Sequence, residues 1–121
     1  MDTLEDKAYF MKEIGYCNAM QGNISKALEW YQGSLVIYEK INKTDIIENL
    51  DELIILYYNL SMLDIKLENY QNAYNYLIKC CEEINNHISS GKSLNEDLIK
   101  NALQRLIWLS YNKDKFGICI I

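Results

Sequence analysis

Proline is absent from the 121 residues, and only five glycines occur. Proline breaks helix interiors and glycine weakens them, so long uninterrupted helices are permitted along the whole chain. No segment sustains the alternation of apolar and polar residues that a half-buried strand needs. The length suits one domain, residues 1–121, with a moderate core. We therefore expect a single all-α domain.

Long apolar runs and an excess of positive charge are also missing. Runs such as Leu53–Tyr58 are far too short to cross a bilayer. The amino terminus, Met1–Asp6, is acidic where a secretory signal would be basic and then apolar. The formal net charge is −5 and no Lys/Arg cluster occurs, so the chain lacks the basic face that phosphate binding requires. We expect a cytoplasmic protein with neither nucleic acid nor membrane as a partner.

Metal and catalytic motifs are not apparent. Cys17, Cys80, Cys81 and Cys119 lack paired C-x-x-C spacing, and His87 is the sole histidine. We expect reduced thiols buried as small apolar side chains, with one thiol of the adjacent pair facing the core and the other near the surface. His87 is predicted to face solvent near a helix end. No nucleophile elbow or phosphate loop occurs, which predicts a non-enzyme without a cofactor.

Turn signals divide the chain into five helices and a short stub. Gly22 is predicted to supply a left-handed turn residue, and capping boxes are predicted at Asp45–Glu48 and Ser93–Glu96. Polar turns are expected at 42–44 and at 68–69. The predicted helices are about Thr3–Met20, Ile24–Ile41, Ile46–Leu67, Tyr70–Ile88 and Glu96–Tyr111, followed by a stub that begins near Lys115.

The chain matches itself when it is shifted by 46 residues, and it does so twice. The matching sets are Ile14/Leu60/Leu106, Met11/Tyr57/Leu103, Ile24/Tyr70/Phe116 and Ala27/Ala73/Cys119. A fixed period in this range predicts an α–α solenoid of stacked antiparallel helix pairs, whose usual task is to present a surface to another polypeptide. The repeats are about 8–41, 54–88 and a truncated 100–121. The apolar stub Gly117–Ile121 is expected to need a partner surface.

The turn within each pair carries a recurring pattern of small and aromatic residues. The first repeat has Ile14-Gly15, Gly22-Asn23-Ile24, Ala27, Tyr31 and Ser34; the second has Leu60-Ser61, Glu68-Asn69-Tyr70, Ala73, Leu77 and Cys80; the third has Leu106-Ile107, Asp114-Lys115-Phe116 and Cys119. This pattern resembles the tetratricopeptide repeat family. Gly15, Ala27 and Ser34 are predicted where helix axes cross, because large side chains there would hold the helices apart. Ile107 and Cys119 depart from that rule.

The period exceeds the usual length of about 34 residues in this family. Long repeats of this kind resemble those of kinesin light chain and of bacterial peptide-sensing regulators, with a weaker similarity to immunophilin domains. The pattern does not decide among these subfamilies.

The resemblance implies that the first helix of each pair lines a concave groove that binds a peptide. The groove residues implied by this register are Lys12, Tyr16, Tyr58, Asn59, Met62, Lys66, Arg105 and Trp108. Asn59 could hold a backbone amide, and Lys12 and Arg105 could meet a carboxylate. Alternatively, the aromatic residues pack between helices and the charges face water.

Three functions are consistent with these features. The leading hypothesis is a non-enzymatic adaptor or scaffold that binds a peptide or partner segment. A second is a self-assembly segment that forms a homo-oligomer through the C-terminal stub. A third is the regulatory fragment of a peptide-sensing transcription factor.

Overall fold

The computed structural model describes residues 3–44 and 50–120, and every regular element in those ranges is helical. The helices are α1 (Leu4–Met20), α2 (Ile24–Thr44), α3 (Leu50–Lys66), α4 (Tyr70–Ser89), α5 (Glu96–Tyr111) and α6 (Lys113–Phe116). The predicted all-α class is confirmed. The chain divides into two compact units, Met1–Leu56 and Tyr57–Ile121, so that the boundary falls within α3.

The helix ends follow the local capping chemistry. Thr3 caps α1: its hydroxyl accepts from the Asp6 N–H at 3.0 Å, while the Asp6 carboxylate accepts from the Thr3 N–H at 3.4 Å. Helix α2 continues to Thr44, through the turn predicted at 42–44, since that segment contains neither glycine nor proline. The capping box predicted at Asp45–Glu48 lies outside the described residues.

The capping box predicted at Ser93–Glu96 is wrong. Helix α5 begins at Glu96, and the Asn95 side chain accepts from the N–H groups of Asp97 and Leu98 at 2.8 and 3.2 Å. Asparagine is among the strongest N-cap residues, and Asn95 lies directly before the first helical residue. The bounds predicted for this helix, Glu96–Tyr111, are confirmed.

The turns after α1 and α3 use a left-handed residue at equivalent positions of the repeat. Gly22 has a φ of 83°, as predicted, and Glu68, which lies 46 residues later, has a φ of 60°. Glutamate adopts this region at a cost that glycine does not pay. The repeated backbone geometry therefore tolerates the change of residue.

In the first unit, α1 and α2 pack as an antiparallel pair. The Ser34 hydroxyl in the middle of α2 donates to the Ala8 carbonyl in the first half of α1 at 2.6 Å. Later in α1 and earlier in α2, Gly15 lies against Tyr31, so the two helices run in opposite directions. Ala8, Ala27 and Ser34 are completely buried. The predicted small residues thus lie where the two helices approach closely.

In the second unit, α4 contacts α3 and α5. The rings of Tyr57 on α3 and Tyr76 on α4 are 6.4 Å apart, and the Asn69 N–H at the turn donates to the Asp64 carbonyl at 2.8 Å. Asp64 lies near the end of α3 and Asn69 directly precedes α4, whereas Tyr57 lies earlier in α3 and Tyr76 lies later in α4. The two helices are therefore antiparallel. Helix α4 also packs on α5. The completely buried residues of this unit include Leu60, Ser61, Ala73, Leu77, Cys80, Ala102 and Leu109.

The third repeat does not form a helix pair in the described residues. Helix α6 has four residues, ends at Phe116 and is followed by the left-handed cap residue Gly117, whose φ is 66°. Ile107, at the position equivalent to Gly15 and Ser61, is 65% exposed. The apolar stub was expected to need a partner surface. Part of it is instead covered within its own unit, because Ile118 is buried and Phe116 is half-buried.

The close approach of α1 and α2 predicts different effects for two helical glycines. A Cβ at Gly15 would lie 2.6 Å from Cδ1 of Tyr31, a ring that is only 1% exposed. We expect Gly15→Ala to lower the free energy of unfolding by about 1–3 kcal/mol, since the buried ring has little room to move. Urea unfolding followed by circular dichroism measures this change.

Gly33→Ala is the matched control. Its Cβ would meet only the flexible Cε of Met11, at 2.6 Å. The gain in helix propensity, about 0.5–1 kcal/mol, should then leave stability unchanged or raised. Equal destabilisation by the two substitutions would contradict the proposed tight crossing at Gly15.

Candidate interaction surfaces

Lys12 lies inside the first unit. It is 7% exposed, and its ammonium lies 3.0 Å from Glu52 Oε2 and 3.2 Å from Glu13 Oε1. The contact with Glu52 is ionic rather than a well-directed hydrogen bond. The ammonium also lies 5.2 Å from the centre of the Tyr9 ring. The predicted carboxylate contact of Lys12 is therefore made within its own unit.

Burial and charge act against each other in this cluster. Burial disfavours the charged form of Lys12, but the carboxylates of Glu52 and Glu13 outweigh it and raise the pKa of Lys12 above its ordinary value. Burial, followed by the negative charge of Glu52, raises the pKa of Tyr38 well above its ordinary value. The Tyr38 hydroxyl is buried and has no hydrogen-bond partner among the described residues.

The sequence carries no signal for this cluster, because Lys12 and Glu52 are far apart along the chain. No local motif joins them, and only the packing of the first unit brings their charges together. The other residue predicted on α1, Tyr16, is 49% exposed and thus available for contact.

On α3, four predicted site residues form a half-exposed stripe beside the core. Tyr58, Asn59 and Met62 are half-buried, and Lys66 is exposed. Their spacing places them along one side of the helix, because residues three or four apart are neighbours on a helix surface. The stripe combines an aromatic ring, an amide, a thioether and an ammonium group, which suits contact with a mixed polar and apolar segment.

On α5, Arg105 is half-buried and Trp108 is 38% exposed. The Trp108 ring lies 5.1 Å from the Phe116 ring, and Phe116 in turn stacks on Tyr70 at 3.9 Å. The sequence left open whether Trp108 contacts a partner or packs between helices, and its position is compatible with both. It packs against its own unit and retains accessible ring area.

Buried His87 corrects the prediction that this residue faces solvent. It is 4% exposed, and its Nε2 lies 3.1 Å from the Ser93 carbonyl oxygen, which ties the end of α4 to the following loop. The register gave no sign of this contact. A histidine in the last turn of a helix commonly contacts nearby carbonyl groups, and that tendency was the available signal.

The cysteines divide between core and surface. Cys80 is completely buried, which raises the pKa of its thiol to about 12, and Cys81 is half-buried, as predicted. A thiol with so high a pKa is a poor nucleophile at neutral pH. The prediction of burial is wrong for Cys17 and Cys119, which are exposed.

Helix α1 also presents apolar side chains to solvent. Leu4, Phe10 and Ile14 are 57%, 62% and 41% exposed, and they border a groove of about 420 Å³. A second groove of about 510 Å³ shares Phe10 and Ile14. The positions equivalent to Met11 and Ile14 in the second repeat, Tyr57 and Leu60, are buried. The 46-residue register therefore identifies the apolar side of each helix, but it does not show whether another helix packs against that side.

Within residues 3–44 and 50–120, no helix is both long and apolar enough to cross a membrane.

Comparison with known proteins gives partial matches. Photosystem I assembly protein Ycf3 from two strains of Prochlorococcus marinus, MIT 9301 and MIT 9215, is 36% identical to this chain over 69 residues. Each match covers 57% of this chain and 39% of the relative, so the chain matches less than half the length of these relatives. No family model and no solved structure matches the chain.

The Lys12 ion pair predicts a pH-dependent contribution to stability. We expect Lys12→Ala to lower the free energy of unfolding by about 1–3 kcal/mol at neutral pH, because it leaves partly buried carboxylates without their cation. The pKa of Lys12 is raised above its ordinary value of 10.5, so the contribution is fully present below that pH and is lost as the pH rises through the folded-state pKa. Urea unfolding between neutral and alkaline pH measures the difference.

Lys7→Ala on the same helix is the control, because Lys7 is exposed. It should change stability by less than about 0.5 kcal/mol. A loss for Lys12→Ala that matches the Lys7 control, or that persists unchanged at high pH, would show that the ion pair does not contribute as expected.

Proposed function

We propose that this chain is a non-enzymatic, tetratricopeptide-like module that binds a segment of a partner polypeptide, in the manner of an adaptor or assembly scaffold. The observation that carries the proposal is the half-exposed stripe on α3, in particular its half-buried members Tyr58, Asn59 and Met62. The partial matches support the same class of task, since those relatives are named as assembly proteins.

The chemistry of the second unit fits an extended peptide. The Asn59 amide can donate to a ligand carbonyl and accept from a ligand N–H, so it recognises the peptide backbone irrespective of sequence. The Arg105 guanidinium can bind a carboxylate through two parallel hydrogen bonds. The exposed parts of Tyr58 and Trp108 offer large contact areas with few rotamers to restrict.

Two other residues implied by the resemblance are exposed. Lys66 at the end of α3 could add a charge contact to the stripe, and Tyr16 could contribute a contact of its own in the first unit. The Lys12 ammonium already has two carboxylate partners, so we leave it out of the proposed surface.

A peptide library displayed on phage, selected against the intact chain, tests the proposal. We expect selected peptides to lose affinity by about tenfold or more with Asn59→Ala and with Arg105→Ala, because each substitution removes a desolvated or charge-assisted hydrogen bond. Fluorescence anisotropy with individual synthetic peptides measures the affinity.

Asn85→Ala and Lys100→Ala are the controls, matched in residue type or charge and exposed on α4 and α5. They should leave affinity within about twofold. Selected peptides that bind all four variants equally would contradict the proposed surface on α3 and α5.

The apolar face of α1 favours self-assembly as a second candidate function. Leu4, Phe10 and Ile14 are exposed on one helix, and a contiguous exposed apolar patch marks an interaction site. A two-fold pairing of antiparallel α1 helices centred at Phe10 would also place Lys7 opposite Glu13 of the second copy. Phe116 and Ile118 of the stub pack within their own unit, so α1 is the better surface for this function.

Sedimentation at several protein concentrations tests self-assembly. We expect the wild-type chain to dimerise and Phe10→Ser, which changes an exposed residue, to shift the dissociation constant upward by about tenfold or more. Val36→Ser on α2 is the control, since Val36 is also highly exposed. A chain that remains monomeric at all concentrations would exclude this candidate.

A further inference from the structure

The C-terminal segment is held against α4 by stacked aromatic rings. The planes of Phe116 and Tyr70 differ by 13°, and their ring centres are 3.9 Å apart. Trp108 closes the cluster at 5.1 Å from Phe116. Two residues later Ile118 is 7% exposed, so an aromatic and an aliphatic side chain together anchor the segment.

The backbone of the segment is held by one side-chain amide. The Cys119 N–H donates to Gln71 Oε1 at 2.7 Å, and Gln71 Nε2 donates to the Cys119 carbonyl at 3.2 Å. The amide therefore pairs with both polar groups of a single residue, as a neighbouring β-strand would. The Cys119 side chain itself is exposed, so this recognition reads the backbone and not the side chain.

A groove continues along α4 from that point. Its volume is about 730 Å³, and its lining on α4 consists of Gln71, Tyr74, Asn75, Ile78, Lys79 and Glu82. These positions extend over roughly 16 Å at about 1.5 Å per residue, which would accommodate about five residues of extended chain. Of the described tail residues, Cys119 alone lines the groove, and it does so next to Gln71.

We infer that this face of α4 is a binding site for an extended polypeptide segment, and that the C-terminal tail occupies one end of it in cis. The ligand is a partner segment with an aromatic residue followed two residues later by an aliphatic one, whose next backbone amide pairs with Gln71. The partner displaces the tail when it binds. The inference goes beyond the proposed function, because the groove is on α4. The two surfaces meet at Trp108, whose ring contacts Phe116, but Asn59 and Arg105 do not line the groove.

Competition between tail and partner provides the test. A tethered segment competes at an effective concentration of about the millimolar range, so it weakens the apparent affinity of any free segment. The probe is a fluorescent peptide with the sequence of residues 112–121, carrying Cys119→Ser to prevent disulfide formation. The full-length chain is compared with the full-length variant Phe116→Ser with Ile118→Ser, in which the anchors of the tail are removed.

We expect the variant with the released tail to bind the peptide at least about tenfold more tightly than the wild-type chain. Adding Gln71→Ala to this variant should weaken binding by about tenfold, because two hydrogen bonds to the peptide backbone are lost. Adding Gln32→Ala, an exposed glutamine on α2, should leave the affinity unchanged. Equal binding by wild-type and released chains, no binding to the released chain, or equal effects of the two glutamine substitutions would overturn the inference.

Hydrogen exchange provides a second readout that does not require the released variant to fold. In the otherwise intact chain, Gln71→Ala should speed exchange of the Cys119 amide at least about tenfold, whereas Gln32→Ala should not. Exchange that is the same in both variants would overturn the inference. Peptides bound at α3 and α5 respond to Asn59→Ala and not to Gln71→Ala, so failure of this inference and failure of the proposed function are distinguishable.

Discussion

Close approach of paired helices at small residues is the constraint on which the rest of the structure depends. In the first unit the approach is so close that a Cβ at Gly15 would collide with Tyr31. The buried small residues recur in pairs 46 residues apart: Gly15/Ser61, Ala27/Ala73 and Ser34/Cys80. Where the third copy replaces them with Ile107 and Cys119, both positions are exposed and the described residues form no third pair. Small residues at these positions therefore occur in the two repeats that form helix pairs, and they are missing from the third repeat, which does not.

Buried charge in the first unit is compensated by carboxylates of the same unit. Lys12 was implied as a contact for a partner, but Glu13 and Glu52 surround its ammonium. Desolvating a lysine is costly unless carboxylates offset the cost, and here two carboxylates lie 3.0 and 3.2 Å from the ammonium. The charge of Lys12 is therefore paired within its own unit. The exposed side chains of α1 that remain open to contact are the ring of Tyr16 and the apolar residues Leu4, Phe10 and Ile14.

The predictable part of the candidate surfaces is the part set by helical periodicity. Tyr58, Asn59 and Met62 share one side of α3, and the structure shows them half-exposed beside buried neighbours. Periodicity does not reveal whether a second element covers a face. For that reason the burial of His87 against the loop carbonyl of Ser93 was missed, as were the exposed apolar face of α1 and the docking of the tail on α4.

The sequence by itself determined the helical class, the turns near Gly22 and at 68–69, the 46-residue repeat and the small residues at the crossing of α1 and α2. These features follow from local backbone preferences and from the spacing of residues along one helix. Tertiary structure alone decided that Lys12 is ion-paired, that Asn95 caps α5 and that Gln71 binds the backbone of Cys119. Such contacts depend on which of several possible hydrogen-bonding or charged partners lies nearest in the folded structure. Distances between residues as far apart in the chain as Gln71 and Cys119 are set by packing, and no local pattern encodes them.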